Sequence, residues 1–130
     1  MNIIRLLQLS CLALSLIFLS GCDAEPTNQA ELLIGKWDLQ SATRNGQRAA
    51  SLEGLFFEFD DAGNMETNLP IAKGASTYEL SGNTIQQKNS TNNVRYTIES
   101  IGDSSLMLST TLANTDFTFS LKRAAEPTAN

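Results

Sequence analysis

The chain has 130 residues, two cysteines, no histidine and a formal net charge of −5 at neutral pH. Without histidine it lacks the commonest general base and the commonest metal ligand. An acidic chain with scattered basic residues repels a phosphate backbone, which argues against nucleic acid as a partner.

Met1–Arg5 carries one positive charge, Leu6–Leu19 is almost wholly apolar, and Ser20-Gly21 are small. These are the three parts of a secretory signal peptide, which predicts removal of residues 1–21. A retained membrane span would need roughly 17–25 apolar residues, and Gln8 and Ser10 dilute a run already at that limit. Asp23 and Glu25 stand where a basic stop-transfer flank would be. Leu19-Ser20-Gly21-Cys22 resembles a bacterial lipobox. The resemblance implies that the Cys22 thiol receives a diacylglyceryl group, that cleavage follows Gly21, and that the new amino terminus is acylated by a chain such as palmitate. Two or three acyl chains, at about 0.8 kcal/mol per buried CH₂, hold a protein on a membrane surface. The expected address is the cell envelope, facing the periplasm. Asp23 resembles an inner-membrane retention signal, so the choice of membrane stays open with a lean to the inner one. Cys11 leaves with the leader and Cys22 is taken by lipid, so no intrachain disulfide remains and stability rests on a packed core.

Residues 22–30 read as the lipidated cysteine and a polar tether. Asn28-Gln29-Ala30-Glu31 has capping-box spacing, which places one short helical turn ahead of the domain. From residue 31 to residue 123 the apolar period is close to two, as half-buried strands require. Leu33–Ala42 alternates around Trp37 and Leu39, and Asn45-Gly46 signals a turn. Leu55, Phe57 and Phe59 share one face, and "DDAGN" leads into Asn64–Leu69 with Met65, Thr67 and Leu69 together. Ser76–Leu80, Asn83–Lys88, Asn93–Ile101, Ser105–Leu112 and Thr115–Arg123 complete eight short strands. The prediction is an all-β domain, an up-and-down antiparallel barrel closed on itself to remove its edges. A two-sheet sandwich is the structural alternative. Residues 124–130 read as a disordered tail.

"LIGKWDLQSATRNGQ", "FEFDDAGN", "STYELSGNTI" and "RYTIESIGDSSLML" resemble the bacterial lipocalin-like lipoprotein domain family over about residues 31–123. The resemblance implies a small barrel whose Gly35-Lys36-Trp37 begins the first strand. It also implies that Trp37 closes one barrel end by stacking against a basic residue of the last strand, Arg123 or, with a slipped register, Lys122.

An eight-stranded barrel has room either for side chains or for one small ligand. The inward set includes eighteen bulky groups, so the interior is expected to be mostly packed, with at most a shallow pocket at one mouth. Tyr78, Tyr96 and Phe117 are the candidate ligand contacts, the tyrosines pairing an apolar ring with a hydroxyl that needs a partner if buried. Phe56 points outward, under the Arg44–Glu53 connection or against a partner. Asp60–Asn64 is loosely like a calcium loop but is better read as a hairpin turn with Gly63 at positive φ. No metal, cofactor or catalytic residue is expected, since no serine has a histidine partner and no Ser–Lys spacing stands out. The expected function is a non-catalytic, monomeric binding module for a small apolar or amphipathic ligand. The alternative is a protein-interaction module, an assembly factor or inhibitor with a ligand-free barrel. Cys22→Ser is expected to abolish palmitate incorporation and to release the chain from membranes, which metabolic labelling followed by fractionation checks.

Overall fold

The computed structural model describes residues 28–89 and 93–125; the leader, Cys22, the tether up to Thr27 and the tail from Glu126 lie outside the described residues. The first element is a short helix, α1 (Gln29–Leu33), whose N-cap Asn28 accepts the Ala30 N–H through its side chain at 3.1 Å. It belongs to the domain, because Leu33 is fully buried in the core. The short helix thus packs with the strands ahead of residue 31, and the first strand starts at Gly35 rather than at Leu33.

Nine strands follow: β1 (Gly35–Arg44), β2 (Gln47–Arg48), β3 (Phe56–Phe59), β4 (Asn64–Thr67), β5 (Gly74–Ser81), β6 (Thr84–Lys88), β7 (Asn93–Ile101), β8 (Ser105–Leu112) and β9 (Thr115–Arg123). Every pairing is antiparallel between neighbours, and β1 also pairs with β9. That last pairing closes eight strands into a barrel and excludes the sandwich. The extra strand, β2, only extends the β1 hairpin across Asn45-Gly46, both at positive φ as a tight two-residue hairpin requires.

The alternating inward residues fill the barrel. Phe57 packs against Phe59, Tyr96 and Phe119, with ring centroids 6.4, 5.4 and 5.7 Å away. Phe59 reaches Tyr78, and Phe119 stacks on Phe117. Of the eighteen predicted inward groups, Leu39, Tyr78 and Leu80 are partly buried and the others are core. A bulge between Leu39 and Ser41 reverses the alternation of β1, so Ala42 rather than Ser41 faces inward. Leu69 is buried from the connection after β4, not from the strand itself.

Alternation of strand direction puts the turns after β3, β5 and β7, and the end of β9, at the barrel end that carries α1. This closed end is held by one arginine. The Arg123 guanidinium lies 4.2 Å from the Trp37 ring centroid, and the two residues face each other in the β1–β9 register, without slippage to Lys122. Its three nitrogens donate to the carbonyls of Leu32, Ile34 and Asp103 at 2.6–2.7 Å. The last carbonyls of a helix have no partners of their own. Here Arg123 takes the Leu32 carbonyl of α1 and that of its C-cap Ile34, and Trp37 Nε1 takes the Leu33 carbonyl at 2.9 Å. Gly35 sits at φ 126°, and a Cβ there would lie 2.6 Å from Arg123 Nη1. The glycine two residues before the tryptophan thus makes room for the arginine.

Ala124, just past β9, donates its N–H to the Lys36 carbonyl at 2.8 Å. Trp37→Ala is expected to cost about 3–5 kcal/mol, the usual range for deleting a buried large aromatic, and Gly35→Ala to destabilise by displacing Arg123. Thermal or denaturant unfolding checks both.

Candidate functional site

The opposite, open end is formed by the β1–β2 hairpin, the connection from residue 49 to 55, the segment from residue 68 to 73, and the Ala113-Asn114 turn. The segment from 68 to 73 folds into this mouth, with Leu69 and Ala72 buried. Asn68 fixes one side, accepting the Phe56 N–H and donating to the Gly54 carbonyl. Thr67 Oγ1 donates to the Phe56 carbonyl and accepts the Leu69 N–H. From inside the barrel, the fully buried Gln87 donates to the Ala72 carbonyl at 3.0 Å and to Ser76 Oγ at 2.8 Å.

The three candidate ligand contacts do not meet around one pocket. Tyr78 lies toward the closed end, where its hydroxyl donates to the Asp60 carbonyl at 2.8 Å. Partial burial raises its phenol pKa, and the negative charges of Asp60 and Asp61 raise it further. Tyr96 is wholly buried mid-barrel, its ring edge-on to Phe57 and its hydroxyl donating to Gln87 Oε1 at 2.6 Å. Burial pushes its phenol well above the ordinary range. Phe117 is at the open end, under the Arg44 guanidinium at 5.5 Å. Phe117 borders a cleft of about 450 Å³ on the outer wall that Arg95, Asp116 and several hydroxyls also line.

Gln87 is the functional-looking group that the sequence reading passed over. Its signal was present, since period two places it on the face of Ile85, but a polar residue in a barrel core was not counted. Elsewhere the polar groups serve turns. Asp60 Oδ1 accepts the Ala62 and Asn64 N–H groups, with Gly63 at φ 85°. The bonds from Asn64 hold its carboxyl below the usual value. Phe56 is half-buried on the outside, with Lys36 Nζ 4.9 Å from its ring centroid.

A closed antiparallel barrel of eight strands, plugged by a short helix and sealed by a tryptophan–arginine pair, defines a lipocalin-like fold. A solved structure with this fold is that of a lipocalin-like protein from Bacteroides uniformis, which is 18% identical, superposes with a TM-score of 0.52, and is matched over 72% of this chain and 99% of its own. No family model and no curated protein matches the sequence.

Tyr96→Phe leaves Gln87 Oε1 buried without that donor, and is expected to cost about 1–3 kcal/mol. The same burial sets an alkaline limit. An unfolded tyrosine ionises near its ordinary value of about 10. Above that pH, ionisation favours the unfolded chain while the folded phenol keeps its proton. Stability is therefore full below that pH and falls as pH rises toward the folded pKa. A spectrophotometric titration should show the Tyr96 phenolate appearing together with unfolding.

Proposed function

We propose that this chain is a non-catalytic binding module of a bacterial cell envelope, held at the membrane surface by lipid on Cys22. In this reading it takes a small amphipathic ligand on its outer wall and open end, not in a central cavity. The observation that carries the reading is the filled interior. The aromatic chain from Tyr78 to Phe117 occupies the barrel, and Leu69 and Ala72 occupy its mouth. Small-molecule sites are concave and carry a few placed polar groups beside apolar surface, which fits the cleft beside Phe117.

The lipocalin-like fold supports a binding role by analogy of architecture. The leader, the Leu19–Cys22 sequence and Asp23 support a lipid-anchored monomer facing the periplasm, with a lean to the inner membrane. The filled interior also favours a second reading, a protein-interaction module that presents its loops to another envelope protein.

Residues 23–130, secreted unlipidated into a bacterial periplasm and weighed by native and denaturing mass spectrometry, separate the two. A reproducible extra mass that is lost on denaturation supports the ligand-binding reading. A clean mass, with one envelope protein cross-linked to the loops of the open end in the living cell, supports the second.

A further inference from the structure

The barrel wall has a gap. The β7–β8 ladder runs from Ile101–Leu106 to Thr97–Ser109 and stops there. Both strands continue, β7 back to Asn93 along β6 and β8 on to Leu112 along β9. They part toward the open end and leave strand edges inside an otherwise closed wall, where backbone polar groups need other partners. Thr110, 7% exposed, spans the narrow part of the gap by donating its hydroxyl to the Arg95 carbonyl at 2.7 Å. Above that bridge the gap opens into the cleft of about 450 Å³, within the range of about 300–1,000 Å³ typical of small-molecule sites.

The lining chemistry is specific. Phe117, directed inward on β9, is reached from outside through this gap. Thr97 stands on one wall and Ser109 and Thr118 on the other, in one cross-strand row. The Arg95 guanidinium makes no hydrogen bond or ion pair with any described residue. Asp116 is pre-oriented, accepting the Thr111 hydroxyl at 2.7 Å while its N–H donates to Asn45 Oδ1 at 3.0 Å. A fatty chain here would strip water from hydroxyls without replacing their hydrogen bonds. A simple anion would meet Asp116 as well as Arg95. The matching ligand has many closely spaced donors and acceptors, little net charge, and C–H groups to meet the edge of a ring whose faces are held by Phe119 and Arg44.

We propose that the β7–β8 cleft is a saccharide-binding site, with Arg95 and Asp116 fixing ring hydroxyls and the ring edge of Phe117 meeting sugar C–H groups. This rests on the reading of the chain as a binding module and assigns the polar part of its ligand.

The test uses the full chain purified from membranes in a detergent without a sugar headgroup. It is titrated by calorimetry with chitotriose and with maltotriose, and the contact region is mapped by hydrogen exchange. Saturable binding of either sugar at millimolar concentration or below is expected, with protection gained around Arg95–Thr97 and Ser109–Thr118. Arg95→Ala and Asp116→Ala should each weaken it about tenfold or more, the loss that follows from removing a charged hydrogen-bonding partner, without lowering the melting temperature. Thr118→Val, which keeps shape and removes a hydroxyl, should weaken it less. No saturation with either sugar overturns the proposal, as does binding that these variants leave unchanged. A chain that still holds an extra mass in native spectra but takes neither sugar loses this site and keeps the binding reading.

Discussion

The structure depends on where Arg123 puts its charge. A guanidinium has five donors in a fixed fork and a flat face, and here both are in use. The face lies on Trp37, and the donors hold carbonyls from α1, from the residue that follows it and from the β7–β8 turn. One side chain from the end of the chain thereby fixes the first helix, the first strand and a distant turn. It also explains Gly35, because the space a side chain would take is occupied by a nitrogen of that arginine. Replacing the charge with an apolar group would leave two half-buried carbonyls without donors as well as removing the stacking.

A barrel sealed in this way has little room inside. Aromatic rings succeed one another from Tyr78 to Phe117, and a second arginine, Arg44, covers the last of them at the other end. The buried polar residues are correspondingly few, and Thr67, Gln87 and Thr110 are each hydrogen-bonded. Gln87 joins Tyr96, Ser76 and the Ala72 carbonyl, so its amide serves to hold the segment from 68 to 73 in the mouth. In the proposed reading, recognition then falls to surfaces that the core shapes from behind.

Much of this architecture could be read from the sequence, because period-two alternation and turn residues are local signals. The eight barrel strands, the inward faces of β3, β7, β8 and β9, and the pairing of Trp37 with the last strand all follow from such signals or from the resemblance they carry; the extra strand β2 does not. What escaped was non-local. The bulge that turns Ala42 inward has no signature in "DLQSATR", and α1 read as a preface because burial of Leu33 depends on strands far along the chain. Leu69 read as strand although it is a loop residue folding into a mouth. The parting of β7 from β8 leaves no trace in either strand's own alternation, so Phe117 could be named as a contact while the cleft beside it could not. The candidate site was legible as residue types and not as a place.

The pairing of β1 with β9 has a kinetic side. Each other neighbouring pair in the barrel is joined by a short connection, so its loop-closure cost is small. The closing pair joins the first strand of the domain to the last, and long-range pairings of this kind slow folding. Chains are made from the amino terminus, so β1 can meet β3 early while its other edge waits for the final strand to be synthesised. During that interval the domain is an open sheet whose first strand has one unpaired edge, the form most exposed to pairing with another chain. Arg123, at the end of the strand that arrives last, makes closure and completion of the domain the same event.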